Sequence, residues 1–235
     1  MTGTLLLHCG AWSATRSDIV QVETPPPTRT WKPIPPSEAI DIILDQAAGV
    51  GLEITQEQYG LSRSGDRLFG VLNFRHRTDD YGFAVGLRNS HDKSMAYGVC
   101  AGVKILVCDN LALSGDFSLI RKHTSRSDIR RDIQDAFTTL PMKIEELCAR
   151  LDTLKERSLT DDGARRILFQ AAESGAIASS DMLPVWHEYL EPTFEEFRMR
   201  NEYALLMAFT EQAKKFNSAM QLERTYRKLA GVFGL

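Results

Sequence analysis

The stretch from Tyr81 to Val107, YGFAVGLRNSHDKSMAYGVCAGVKILV, decides the fold class because its side chains alternate with a period of two. Apolar residues occupy every second position from Tyr81 to Leu87 and again from Met95 to Val107, and the positions between them are small from Gly82 to Gly86 and from Ala96 to Gly102. Such alternation is typical of strands that bury one face. The polar run 89–93 between them is short, as in a hairpin. The stretch therefore predicts two neighbouring antiparallel strands.

Two more runs of the same kind precede this hairpin, at 52–61 and 67–76. Residues that favour turns join the runs, with Ser-Gly-Asp at 64–66 and Thr-Asp-Asp at 78–80. Upstream, Ser37 stands where an N-cap belongs, and apolar residues at helical spacing follow it as far as Gly49. We therefore predict an α+β fold, with a central antiparallel meander of about four strands, a short helix before it and a helical C-terminal region after it.

Helical periodicity begins after Ser127 and continues to the C-terminus. The apolar stripe from Ile129 to Leu154 predicts one long helix or a helix pair, because Pro141 can bend or break it. Further helices are predicted at 161–174, 181–190, 201–216 and 218–229.

The chain divides by composition into three regions. Six prolines lie between residues 25 and 36, a density that favours extended backbone and predicts an arm. The predicted organisation is a proline-rich N-terminal arm at 1–36, an α+β core with the meander at 37–126, and a helical region at 127–235 that packs on the core.

The composition excludes several classes of protein. With 43% hydrophobic and 25% charged residues, the 235-residue chain is neither disordered nor collagen-like nor a coiled coil. It has no window of about 18 apolar residues and no signal peptide, so we expect a cytoplasmic protein without a membrane span. The four cysteines form no Cys-x-x-Cys pair, which favours reduced thiols.

The stretch from Tyr81 to Thr124 resembles the phage- and plasmid-like proteins grouped as the domain of unknown function 932 family. The motifs that carry the resemblance are R-N-S-H-D-K-S at 88–94, V-C-D-N-L-A at 107–112, S-G at 114–115 and R-K-H-T at 121–124. Weaker similarity covers most of the chain. The resemblance implies a protein of mobile-element type, and it carries over no catalytic residue.

The order of elements is also similar, more remotely, to that of single-strand annealing proteins. This similarity implies a self-associating protein, in ring form, that holds the phosphate backbone of single-stranded DNA in a basic groove. The middle of the chain supplies basic residues, with 12 Lys or Arg against 8 Asp over 63–132. The candidate DNA-binding residues are Arg75, Arg77, Arg88, Asn89, His91, Lys93, Arg121, Lys122, His123, Arg126, Arg130 and Arg131.

Each candidate also has a plainer interpretation. The basic run 121–131 could be a solvated face, and the residues at 89–92 are good turn formers. A DNA-binding role depends on the basic run lying beside the 88–94 turn.

Two other functions stay open at this point. One is a phage- or plasmid-type protein that acts on a host protein through apolar helix faces after residue 140. The other is a metal-dependent enzyme that uses His91 and Asp92, with His8, Cys9, Cys100 and Cys108 as further conceivable ligands. No nucleotide-binding, zinc-protease or serine-hydrolase motif occurs in the chain. We therefore assign no catalytic residue, cofactor or metal, and expect binding without covalent chemistry.

Overall fold

The computed structural model describes residues 11–75, 81–105, 111–124, 128–216 and 219–235. Its centre is a six-stranded antiparallel sheet in which each strand pairs with its neighbours in the sequence. The strands, in chain and spatial order, are β1 (Trp12–Ala14), β2 (Ile54–Leu61), β3 (Arg67–Phe74), β4 (Tyr81–Ser90), β5 (Tyr97–Ile105) and β6 (Leu111–Arg121). The predicted meander is confirmed.

The strand register explains the alternating pattern. On β3 and β4, Leu72 lies opposite Val85 and Phe74 lies opposite Phe83, and all four side chains are buried. The rings of Phe74 and Phe83 lie 5.2 Å apart between their centroids. Cross-strand apolar pairs of this kind stabilise a sheet and set its register. The predicted turn at 64–66 is present, with Gly65 at a φ of 76°, whereas the predicted turn at 78–80 lies outside the described residues.

The sheet has two strands more than the sequence predicted. The first of them, β1, is only three residues long and pairs with Tyr59, Gly60 and Leu61 of β2. The second, β6, has Ser-Gly-Asp in its middle, which resembles a turn more than a strand. Both strands exist because a neighbouring strand offers backbone hydrogen bonds, and local sequence does not reveal that.

Seven α-helices are described. They are α1 (Arg16–Val20), α2 (Pro36–Gly49), α3 (Ile129–Glu156), α4 (Asp161–Glu173), α5 (Met182–Leu190), α6 (Glu202–Ala213) and α7 (Ala219–Phe233). The short helix before the meander and the helical C-terminal region are confirmed. None of the described helices combines the length and the apolar character needed to cross a membrane.

The start of α2 differs in detail from its prediction. Pro35, not Ser37, occupies the N-cap position, and no side chain caps the helix. Pro36 is its first residue, and a proline there has no N–H that needs a partner. The amide of Ala39 bonds to the Pro35 carbonyl at 2.9 Å, so the helical hydrogen bonds begin at the proline pair.

The stripe after Ser127 forms one helix, α3, that continues through Pro141. Its apolar residues are buried at helical spacing, namely Ile133, Phe137, Leu140, Ile144, Leu147, Leu151 and Leu154. The free energy gained by burying this stripe exceeds the cost of the backbone hydrogen bond that Pro141 cannot donate.

The chain divides into two compact units. The first contains the described parts of 1–77, 83–101 and 117–143. The second contains the described parts of 78–82, 102–116 and 144–235. Each unit has its own buried apolar residues, such as Ile40 and Ile43 in the first and Leu168 and Phe209 in the second. The domain boundaries expected at 36 and 126 stay predictions.

Leu72→Ala tests whether the predicted face is the core. Leu72 has no exposed surface, so the substitution should lower the free energy of unfolding by about 2–5 kcal/mol. Urea denaturation measures the change, with Val20→Ala as the control because that side chain is 62% exposed and should cost under about 0.5 kcal/mol. Equal effects of the two variants would contradict the assignment.

A candidate nucleic-acid interface around Trp31

Residues 27–36, here called the arm segment, are attached to the chain just after β6. Trp31 forms an isolated antiparallel bridge with Thr124. Beside it, the Lys32 amide donates to the His123 carbonyl at 3.2 Å. These backbone interactions hold the arm segment against residues 122–124, at the start of the predicted basic run.

The arm segment is also attached to the turn between β4 and β5. The Ile34 carbonyl accepts a hydrogen bond from Asn89 Nδ2 at 2.8 Å and one from His91 Nε2 at 2.9 Å. Because a carbonyl only accepts, Nε2 of His91 carries the hydrogen. Asn89, His91 and Ile34 are all buried, so this attachment is shielded from water.

The β4–β5 turn is held by its own polar side chains. Asp92 accepts hydrogen bonds from the backbone and side chain of Ser94 and forms an ion pair with Arg67 at 2.7 Å. Ser90 Oγ exchanges hydrogen bonds with the backbone of Met95. Lys93 adopts a φ of 63°, which such a tight turn requires. The turn is therefore a stable platform for the exposed Lys93 side chain.

Lys93 completes the contact between the two predicted segments. Its Nζ lies 4.7 Å from the centroid of the Trp31 ring, a cation–π contact. Trp31 therefore touches the 88–94 turn with its ring and pairs with the end of the 121–124 motif through its backbone. We call Trp31, Lys32, Lys93 and Lys122 the Trp31 patch; the three lysines are exposed and the tryptophan is half-buried.

Three of the predicted DNA-binding residues are buried instead. Asn89, His91 and His123 are 1%, 6% and 5% exposed. Asn89 and His91 hold the arm segment, and His123 holds it through its own carbonyl. Their burial gives them a structural role in attaching the arm segment and leaves little of their surface for contact with DNA.

Most of the predicted arginines have acidic or packing partners. Arg75 pairs with Glu53, Arg121 with Asp132 and Arg130 with Asp45. Arg88 lies across β5, where a Cβ added to Gly98 would come within 2.8 Å of its Nε. Arg131 is exposed in the first turn of α3, while Arg77 and Arg126 lie outside the described residues.

The two main residues of the metal-enzyme alternative, His91 and Asp92, have other partners in the structure. His91 points to the Ile34 carbonyl and Asp92 to Arg67 and Ser94. Cys100 is half-buried, and His8, Cys9 and Cys108 lie outside the described residues. Within the part of the chain that is described, no three His, Cys, Asp or Glu side chains are placed to hold a metal ion.

Sequence reasoning missed two members of the patch, Trp31 and Lys32. The signal was present, since an aromatic residue stands beside a basic one in the T-W-K-P sequence at 30–33. The prolines around it predict extended backbone, and no local feature of the sequence shows that the arm segment returns to the end of β6.

Asp92 provides a test of the turn through its pKa. Burial raises the pKa, but the hydrogen bonds from Ser94 and the ion pair with Arg67 outweigh it and lower the pKa from 3.8 to about 2. The stabilisation is therefore complete well above pH 4 and decreases as the pH falls towards 2. Asp92→Ala should cost about 1 kcal/mol at pH 7.

Urea denaturation at pH 7 and pH 3 measures this difference. At pH 3 the difference in free energy of unfolding between the variant and the native protein should shrink to about half of its value at pH 7. At that pH Asp92 is mostly protonated in the unfolded chain but still mostly ionised in the folded protein. A gap that does not depend on pH would contradict the assigned interactions. Glu38→Ala, at an exposed carboxylate in the first turn of α2, is the control for general acid effects.

Comparison with protein families and known proteins identifies the family of this chain. The chain matches no curated protein and no solved structure. The profile of a family described as Domain of unknown function (DUF932) matches residues 27–229, a span that begins at the arm segment and includes every residue of the Trp31 patch. The chain therefore belongs to the DUF932 family.

Proposed function

We propose that this protein binds nucleic acid, single-stranded DNA in particular, through the Trp31 patch and without covalent chemistry. The observation that carries the proposal is that the arm segment brings the 88–94 turn and the 121–124 motif together around one tryptophan. This is the juxtaposition on which the DNA-binding interpretation of the sequence depends. Three exposed lysines stand in the three segments that meet at this tryptophan, and one of them, Lys93, contacts its ring.

The chemistry of the patch suits a flexible polyanion. Lysine ammonium groups bind phosphates as point charges, and an aromatic ring offers a stacking surface for any base. Lys93 occupies one face of Trp31 in the free protein. We expect a base to take that place on the ring and Lys93 to move to the adjacent phosphate. Three lysines imply that few phosphates are bound, so binding by one copy should be weak and sensitive to salt.

Self-association would supply the affinity that one patch lacks. The similarity to annealing proteins implies a ring, and several patches on one strand would raise the overall affinity by multivalency. Within the described chain, β1 covers only residues 59–61 of β2, so the sheet has a short protecting strand at that edge. Edge strands are a common route to pairing between copies. Analytical ultracentrifugation with and without oligonucleotide tests this part of the proposal.

The double variant Lys93→Glu with Lys122→Glu tests the DNA-binding proposal. It reverses the charge at two of the three lysines of the Trp31 patch and should weaken binding to a labelled single-stranded oligonucleotide by about tenfold or more. The slope of log affinity against log salt should fall by about 0.7 for each phosphate that the variant no longer binds. Fluorescence anisotropy at two salt concentrations measures both, with duplex DNA as a comparison.

The matched control is Lys215→Glu with Arg224→Glu, which changes the net charge equally at exposed positions outside the patch. This control variant should bind the oligonucleotide with nearly the affinity of the native protein. No binding by the native protein at low salt, or equally weakened binding by the two double variants, would refute the proposal.

The second candidate is action on a host protein, and one observation favours it. Of the seven large apolar side chains that are exposed among the described residues, four follow residue 140, namely Met142, Phe169, Leu183 and Met199. Phe169 and Leu183 are 57% and 67% exposed on α4 and α5. The double variant Phe169→Ser with Leu183→Ser distinguishes the two candidate functions. If the protein acts on a host protein through this surface, the variant should lose capture of that partner while its oligonucleotide binding stays unchanged.

A further inference from the structure

Two buried histidines hold the arm segment. His91 donates through Nε2 to the Ile34 carbonyl, and the His123 carbonyl accepts from the Lys32 amide. The rings belong to different segments, the β4–β5 turn and the end of β6. Both are at least nine-tenths buried. No other described histidine is buried, since His187 is exposed on α5.

The His123 ring is in an unusual environment. Neither Nδ1 nor Nε2 has a hydrogen-bond partner among the described residues. A neutral ring tolerates this at modest cost, but an imidazolium would bury a charge and two N–H groups without acceptors. Burial, and then the neighbouring His91, lower the pKa of His123 below its ordinary value of 6.5.

We propose that His91 and His123 form a latch that holds the arm segment on the sheet while His123 is neutral and releases it when His123 is protonated. Release would free Trp31 and Lys32, the two residues that the arm segment contributes to the patch. The inference concerns the attachment of the arm segment and does not rest on DNA binding.

The charged groups on the segments that carry the two histidines are mostly cationic or already paired. Asp66 accepts the His91 amide through its carbonyl at 2.7 Å, and Asp92 follows in the turn, where Arg67 neutralises it. Arg121, next to Lys122, is paired with Asp132 of α3. The remaining charged side chains on the arm segment, the 88–94 turn and the end of β6 are cationic, namely Arg29, Lys32, Arg88, Lys93 and Lys122. No carboxylate hydrogen-bonds to either ring among the described residues.

The direction of the pH dependence follows from linkage. The docked state binds fewer protons than the released state, so docking is fully favoured above pH 6.5 and weakens as the pH falls below it. If His123 titrates with its ordinary pKa of 6.5 only after release, the equilibrium for release rises up to about tenfold between pH 7.5 and pH 5.5.

Hydrogen–deuterium exchange of the full chain tests the latch. The observable is protection of the Lys32 amide, corrected for the intrinsic effect of pH on exchange. Protection in the peptide that spans 27–36 should fall up to about tenfold between pH 7.5 and 5.5. Protection in 161–173, within α4, should stay constant and so exclude global unfolding.

Variants identify the titrating group. His123→Phe should fold, because no described residue hydrogen-bonds to the ring nitrogens, and it should keep the arm segment protected at both pH values. His123→Leu is the second variant, in case the Phe ring does not fit. His91→Gln should lower protection at both pH values, because it weakens the bond to Ile34, and His187→Gln should behave as the native protein.

If the protection of 27–36 in the native protein were the same at pH 7.5 and at pH 5.5, the latch would be overturned. An equal decrease of protection at low pH in the His123 variants would also overturn it, since another group would then be responsible. Failure of DNA binding in the anisotropy experiment would leave these exchange results unaffected, so the two proposals fail separately.

Discussion

One main-chain carbonyl, that of Ile34, determines how the first unit is assembled. It accepts hydrogen bonds from Asn89 and His91 in a buried setting, where leaving those donors unpaired would be costly. The prolines at 33, 35 and 36 have no amides to satisfy, so the arm segment needs few partners. The next residues begin α2, whose Ala39 carbonyl accepts from the Tyr97 hydroxyl at 3.0 Å. The arm, the turn, α2 and β5 are thus connected by a short series of bonds.

The basic residues of this unit fall into two groups, the arginines that form ion pairs with carboxylates and the exposed lysines of the Trp31 patch. Arginines near carboxylates form ion pairs, as Arg121 does with Asp132, and such pairs leave little net charge for a ligand. The lysines of the Trp31 patch are presented to solvent by backbone that is held elsewhere, by the Asp92 turn and by the Trp31–Thr124 bridge. Charge at this surface therefore depends on backbone interactions as much as on composition.

Long, regular elements were predictable because one buried face imposes a visible period. The pairs Leu72–Val85 and Phe74–Phe83 show this for the meander, and the stripe from Ile133 to Leu154 shows it for α3. Prediction failed where stability comes from a distant neighbour. β1 is too short to have a period, and β6 contains Gly115 and Asp116, which favour turns. The sequence identified two of the segments that form the candidate site, and with them Lys93 and Lys122. It did not identify Trp31 and Lys32, which the arm segment contributes.

Local sequence patterns are enough to define the α+β class, the central meander, the helical region and the turn chemistry at 89–94, because these depend on local period and local hydrogen bonding. Which polar residues are buried and which segments meet is set by packing in three dimensions. Asn89, His91 and His123 look like surface residues in a basic run, yet all three are buried where the arm segment attaches. The reason is physical, since burial and pairing arise between residues far apart in the chain, and no local pattern encodes the partner that shields a side chain from water.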